Sequence, residues 1–325
     1  MLTEIQLQHY RTDGYVIPDY RLSDEILSAI SMDHDRLVAR YPEFKDYCSS
    51  VLAYDLSFLN YARIPEILDM VEQVLGQNFA LWNSSFFAKP ARNGRATPWH
   101  QDGEYWPIRP VATCTVWMAI DHANAANGCL QIIRGSHRPK KLLKHRTNPR
   151  KDLTLNQELL PNEFNASDAV NLELEAGQIS LHDVFLVHGS EANLTEQPRR
   201  GMTLRYMPTT SVFNRELAVQ QGEKMGYLHH SNRTLYLMRG TDQTGKNDLA
   251  INLITKALRF KPSFAEAHCN IGLALHTAGR FDHALASYHS ALSIQPNYVA
   301  AHNNMGATLL ALGRLQEAVY SYQKA

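Results

Sequence analysis

The sequence predicts an α+β domain built on a β-sandwich or jelly roll, followed by an all-α array of helical hairpins. Two helical patterns come early and many short strands follow, an order expected of α+β rather than alternating α/β chains. Near residue 245 the pattern changes, and small and aromatic residues begin to recur at a spacing of 34. With 325 residues, 44% of them apolar, the chain is long enough for two domains with their own cores.

The helical patterns are SDEILSAISMDHDRLVARY (23–41) and IPEILDMVEQVLG (64–76), with Ser23 as N-cap and Gly76 as C-terminal stop. The strands are FALWNSSFFAK (79–89), ATCTVWMAID (112–121), CLQIIRG (129–135), QISLH (178–182) and GMTLRYMP (201–208). Each is short and rich in Val, Ile, Thr or aromatic residues.

After residue 245, Ala250, Ala284 and Ala318 are 34 apart, as are Ala257, Ala291 and Ala325. The same holds for Gly272 and Gly306, Tyr288 and Tyr322, and Pro262 and Pro296. This pattern resembles the tetratricopeptide repeat, in which small residues let two antiparallel helices approach closely. The expected domains are 1–245 and 246–325. The second holds a partial repeat (248–264), a full one (265–298) and a nearly complete one (299–325). The chain stops inside a helix, at YQKA, so the array is expected to continue in a longer protein. The array offers either a groove for a protein partner or a packing appendage.

Global composition excludes several classes. Lys plus Arg equals Asp plus Glu, and the pI is near 7.3. Neither nucleic acid nor an anionic membrane is an expected partner. No apolar run approaches the roughly 20 residues that span a bilayer. The first residues, MLTEIQLQHYRTDGY, lack the basic-then-apolar order of a signal peptide. The four cysteines form no CxxC pair, which fits free thiols and a cytoplasmic location.

The stretch TPWHQDGEYWP (97–107) places His100 and Asp102 two apart. On a strand leading into a loop they would share a face. A distant histidine would complete a 2-His-1-carboxylate triad, which leaves positions open on Fe(II). With 15 histidines in the chain, the spacing alone has little weight. GQISLHDVFLVHGSEANLTEQPRRGMTLRYMP (177–208) supplies two candidates, His182 and His188, and a following arginine.

These segments resemble the phytanoyl-CoA dioxygenase family of Fe(II)/2-oxoglutarate oxygenases. The resemblance rests on WHQDGEYWPIRP (99–110), NGCLQIIRGSH (127–137) and VHGSEANLTEQPRR (187–200). HYRTDGYVIPDY (9–20) and NRTLYLMRG (232–240) extend it over most of residues 1–240. It implies a double-stranded β-helix, or cupin-like jelly roll, with flanking helices. It implies Fe(II), 2-oxoglutarate and O₂ as cofactor and cosubstrates, with ascorbate as reductant. It further implies that His100, Asp102 and His188 bind the metal and that Arg199 grips the far carboxylate of 2-oxoglutarate. A planar guanidinium suits that task where lysine does not. Ser190, Trp117, Asn83 and Ser85 are expected around the cosubstrate, although Trp117 suits core packing equally well.

His182 is the rival to His188, and Arg200 to Arg199. Arg200 would point to the opposite face of its strand, whereas Arg205 shares the face of Arg199. Tyr105, Trp106, Arg109 and Arg205 are candidates for the substrate mouth. His229, His230 and His268 read as surface or packing residues. The loop 134–151 carries eight Lys or Arg among 18 residues, either a guide for an anionic substrate or a solvated loop. The expected reaction is hydroxylation of an unactivated C–H of a small-molecule or carrier-bound substrate, with release of succinate and CO₂. Halogenases of similar type carry a small residue in place of the carboxylate, so Asp102 argues for hydroxylation. The alternative is a catalytically degenerate fold whose repeats bind protein.

Overall fold

The computed structural model describes residues 1–225, 230–250, 258, 262–277 and 279–325. It divides into two compact units, one of Met1–Gly76 with Leu81–Arg233, the other of Gln77–Ala80 with Thr234–Ala325.

In the first unit, α1 (Glu4–Asp13) precedes β1 (Tyr15–Val16) and α2 (Asp24–Arg40). The Ser23 side chain caps α2 by accepting from Ile26 N–H. After β2 (Tyr47–Cys48) comes α3 (Pro65–Leu75), closed by Gly76 at φ 86°. The strands then run β3 (Phe79–Lys89), β4 (Thr97–His100), β5 (Ile108–Arg109), β6 (Cys114–Ala119) and β7 (Leu130–Ile133). Next are β8 (His145–Thr147), β9 (Gln157–Leu159), β10 (Ala169–Leu172), β11 (Ile179–Asp183) and β12 (His188–Ser190). The series ends with β13 (Arg199–Pro208) and β14 (Val212–Phe213), followed by α4 (Arg215–Met225).

Two antiparallel sheets carry the fold. The larger has the order β1-β11-β6-β13-β3, and the smaller β10-β7-β12-β4. Two-stranded ribbons pair β5 with β14 and β8 with β9. The long strand β13 alternates cleanly: Met202, Leu204 and Tyr206 are in the core, and α3 packs on β6 and β13. The odd-numbered residues Arg199, Thr203 and Arg205 face a cleft between the sheets. This is the double-stranded β-helix expected from the sequence.

In the second unit, among the described residues, β15 (Tyr236–Arg239) precedes four helices: α5 (Ala265–Thr277), α6 (Phe281–Ile294), α7 (Val299–Ala311) and α8 (Leu315–Lys324). They form two hairpins, α5 with α6 and α7 with α8, and α6 also packs on α7. The recurring Gly and Tyr columns have a direct physical origin. A Cβ on Gly272 would lie 2.4 Å from Tyr288 Cε1, and one on Gly306 would lie 2.8 Å from Tyr322 Cε1. Only glycine allows the second helix's ring so close. Most of the partial repeat expected at 248–264 lies outside the described residues, as does His229. Among the described residues, no helix is long and apolar enough to cross a membrane.

Candidate active site

The chemistry converges on one strand pair. β12 pairs antiparallel with β4, and His188 sits opposite His100. Their rings come to 4.2 Å between centroids. The register shifts before the next pair, Ser190 with Thr97. This bulge lets Thr97 and His100 both line the cleft, while Trp99 packs on Phe164 with ring centroids 5.2 Å apart. The strand ends at His100, and Asp102 opens a short 3₁₀ turn. That turn aims the carboxylate back at the imidazoles.

His100, Asp102 and His188 are all buried, and their ligand atoms lie within 4.8 Å of one another. Both imidazoles are held the same way. His100 Nδ1 is 2.7 Å from the carbonyl of Pro98, and His188 Nδ1 is 2.9 Å from that of Leu186. A carbonyl accepts only, so Nδ1 carries the proton and Nε2 presents its lone pair. Burial, then the neighbouring His100, pushes the His188 imidazole down to about 3, so it is neutral at pH 7. Burial opposes ionisation of Asp102, but the adjoining His100 and the positive charge of Arg205 outweigh it. Its carboxyl is held well below the usual carboxylate range. Two imidazoles that present Nε2 and an ionised carboxylate are the donor set that suits Fe(II).

His182, on the opposite sheet, lines the same cleft. Its Nε2 is 3.9 Å from Asp102 Oδ2, but its Nδ1 is buried without a hydrogen-bond partner. It lacks the carbonyl contact that orients His100 and His188, and it falls outside the close trio.

The cleft also reaches Trp117, Ser190 and Arg199. Arg199 is 3% exposed. Its Nε and Nη2 donate to the Gly128 carbonyl at 3.1 and 2.7 Å, and its Nη1 to that of Phe87 at 3.1 Å. It stands 5.6 Å from the centre of the Trp117 ring. No carboxylate among the described residues forms an ion pair with it. Arg200, on the other face of β13, is bound to Asp121 through Nε and Nη2, both at 2.9 Å, and Nη1 reaches Asp35 at 3.1 Å. The neighbouring arginines thus differ: one is spent on carboxylates, the other is held open towards the cleft. Gly201 makes room for Trp117, since a Cβ there would lie 2.2 Å from its Cζ2.

The other expected site residues are distributed differently. Ser85 lines neither this cleft nor the smaller chamber beside it, because its hydroxyl is turned to Arg205 Nη1 at 2.7 Å. Asn83, Tyr105 and Trp106 line the smaller chamber, which shares Phe87, Asp102 and Arg205 with the cleft. Arg109 lines neither; its Nη1 donates to the carbonyls of Trp106 and Ile108 at 3.0 and 2.7 Å. His230, read from sequence as a surface or packing residue, is buried against Trp82 and lines the smaller chamber. Thr97, Thr115 and Thr203 in the cleft, and Tyr47 and Leu155 in the chamber, had no spacing signal in the sequence. For the threonines, strand parity offers a partial one, since 115 shares parity with Trp117 and 203 with Arg199.

Comparison with known proteins gives a consistent picture. The profile of the phytanoyl-CoA dioxygenase family matches residues 10–201, and that of the tetratricopeptide repeat matches 265–298. Peroxisomal phytanoyl-CoA dioxygenase of Mus musculus is 31% identical over 186 residues, 54% of this chain and 51% of that protein. The ectoine dioxygenase of Bordetella parapertussis is 26% identical, covering 66% of this chain and 78% of its own. The crystal structure of EvdO2 from Micromonospora carbonacea var. aurantiaca complexed with 2-oxoglutarate superposes with a TM-score of 0.56. It is 23% identical and covers 64% of this chain and 91% of that one, a likeness of fold. The chain spans about half the length of the phytanoyl-CoA dioxygenases it matches.

Proposed function

The chain belongs to the phytanoyl-CoA dioxygenase family, and from that membership we propose that it is a non-haem Fe(II)- and 2-oxoglutarate-dependent dioxygenase. One observation carries the reading. A buried His-Asp-His trio and an arginine without a carboxylate partner line the same cleft. His100, Asp102 and His188 hold the metal, and Arg199 takes the far carboxylate of 2-oxoglutarate. Fe(II) with 2-oxoglutarate and O₂ supplies the oxidising power when bound, releasing succinate and CO₂. The chain's own residues bind, orient and exclude water. The backbone carbonyls of Pro98 and Leu186 fix the imidazoles, Thr115 Oγ1 donates to Asp102 Oδ2 at 3.4 Å, and Trp117 walls the cosubstrate end. Ser190 adds a hydroxyl there.

The outcome we propose is hydroxylation of an unactivated C–H on a small-molecule or carrier-bound substrate, since Asp102 occupies the carboxylate position. The repeats offer a surface for a protein partner. Four free, buried cysteines suit the cytoplasm. The intact trio together with Arg199 disfavours a degenerate scaffold.

The test is an anaerobic titration of Fe(II) and 2-oxoglutarate, followed by the visible charge-transfer band of the chelate. The band is expected in wild type and in His182→Ala, and is expected to fade in Asp102→Ala and His188→Ala. Absence of the band in wild type, with no 2-oxoglutarate bound, would refute the reading. A band that survives His188→Ala but not His182→Ala would exchange the two histidines.

A further inference from the structure

The chamber beside the cleft has an incomplete polar inventory. Arg205 is 5% exposed. Its Nη1 donates to Ser85 Oγ at 2.7 Å and Thr203 Oγ1 at 2.8 Å. Its Nε is buried with no hydrogen-bond partner, and no carboxylate among the described residues is in ion-pair contact with it. The guanidinium lies 5.3 Å from the Trp106 ring centre and 5.6 Å from that of Phe87, both of which line the chamber. A buried donor left without a partner is costly unless something supplies an acceptor.

The second observation concerns Asn83. Ser85 Oγ gives its single proton to the Ser49 carbonyl at 3.1 Å, so it must accept from both Arg205 and Asn83 Nδ2. This fixes the orientation of the Asn83 amide. Its Oδ1 is buried and has no donor. Asn83 and Arg205 both line the chamber, whose remaining walls include Tyr47, Tyr105, Trp106 and Leu155. An unused donor fork and an unused acceptor therefore share one largely aromatic pocket that also touches Asp102.

We propose that this chamber is the substrate site and that it selects small carboxylic acids, with the acid group on the Arg205 fork and a donor beside it on Asn83 Oδ1. The planar guanidinium matches a carboxylate through Nε and Nη2, and the aromatic walls take the apolar body. Holding the acid at Arg205 brings the adjoining carbons towards Asp102 and its metal. The proposal rests on the reading above in which Arg199, not Arg205, takes the cosubstrate.

The test uses tryptophan fluorescence, since Trp106 lines the chamber and Trp82 stands 4.9 Å from it. Protein carrying Zn(II) and N-oxalylglycine, which occupy the metal and cosubstrate positions, is titrated with acetate, 3-methylbutanoate, 3-phenylpropanoate and decanoate. Each is paired with its uncharged amide. At least one acid is expected to bind about 10- to 100-fold more tightly than its amide. That preference should vanish in Arg205→Gln and survive in part in Arg205→Lys, with circular dichroism confirming the fold of both. Equal binding of acid and amide, no binding of any acid, or an unchanged preference in Arg205→Gln would overturn the proposal. So would N-oxalylglycine binding that is lost in Arg205→Gln but kept in Arg199→Ala. If wild type binds no N-oxalylglycine, the cosubstrate reading falls. The acid–amide comparison in metal-free protein then decides the chamber separately.

Discussion

Replacing Arg199 tests the centre of the argument. Its side chain uses three N–H groups on the Gly128 and Phe87 carbonyls. A guanidinium has five, so two remain for an incoming carboxylate. Removing the buried partner of a charged ligand costs about 2–5 kcal/mol, or about 30-fold to a few thousand-fold in 2-oxoglutarate affinity. Arg199→Ala also leaves two carbonyls without their donor, a stability loss of about 1–3 kcal/mol. Arg199→Lys keeps the charge but loses the fork, and an intermediate effect of about 10-fold is expected. The assay is the anaerobic charge-transfer titration, with thermal unfolding run beside it to separate affinity from stability. Arg200→Ala is the matched control. It breaks ion pairs to Asp121 and Asp35 on the other face, so it should lower stability and leave 2-oxoglutarate affinity unchanged. Affinity in Arg199→Ala within about 3-fold of wild type, in a folded protein, would refute the assignment.

Three further outcomes follow from the packing and charge of other residues. Gly201→Ala drives a methyl into Trp117, at 2.2 Å from Cζ2, and should cost about 1–3 kcal/mol while raising the KM for 2-oxoglutarate, because that ring also faces Arg199. Steady-state kinetics and melting curves check this, and a Trp117→Leu partner should recover part of the stability. Gly272→Ala should lower the melting temperature of the helical array despite alanine's better helix propensity, since its Cβ would lie 2.4 Å from the Tyr288 ring; Tyr288→Leu in the same chain should relieve it. His34 is 4% exposed, lies tilted 4.4 Å from the Phe86 ring, and leaves both ring nitrogens without a hydrogen-bond partner. Burial, then the charge of Arg200, pushes it down from 6.5 to about 4. The unfolded chain therefore takes up this proton first, so the contribution is intact above pH 6.5 and lost as pH falls towards 4. The loss reaches about 3 kcal/mol. His34→Phe should flatten that part of the urea-midpoint profile, and a wild-type–variant difference constant with pH would refute the account.

Much of this was legible where one residue's local physics decides the outcome. β3 spans Phe79–Lys89, the run read from its Phe, Leu and Trp content, and α2 begins at the Ser23 cap. Strand parity alone puts Arg199 and Arg200 on opposite faces of β13, because alternation is a property of the backbone. α1 was not legible as a helix: among its residues only Tyr10 is buried, so it has almost no apolar period, and it relies on the Thr3–Gln6 capping box. β12 is only His188, Gly189 and Ser190, and nothing in HGS favours a strand. Its neighbours β4 and β7 supply the hydrogen bonds. The smaller chamber was least legible, because Tyr47, Leu155 and His230 come from three distant segments and meet only through the fold.

That dependence on pairing explains why the HxD spacing alone says so little. His100 and Asp102 are close in sequence, yet the first ends a strand and the second begins a 3₁₀ turn. What makes them a site is the register of β4 against β12, which sets His188 opposite His100, and the shift that follows it. A one-residue slip would turn the histidines to opposite faces. The register is held by contacts away from the trio. Trp99 packs outward on Phe164, and a Cβ on Gly189 would crowd the Trp99 ring at 3.1 Å and the Thr97 carbonyl at 3.2 Å. The glycine of HGS therefore seats β12 close against β4, as the histidine before it faces the trio. The motif is better understood as a strand-pairing device that carries a candidate metal ligand than as a lone histidine with decorative neighbours.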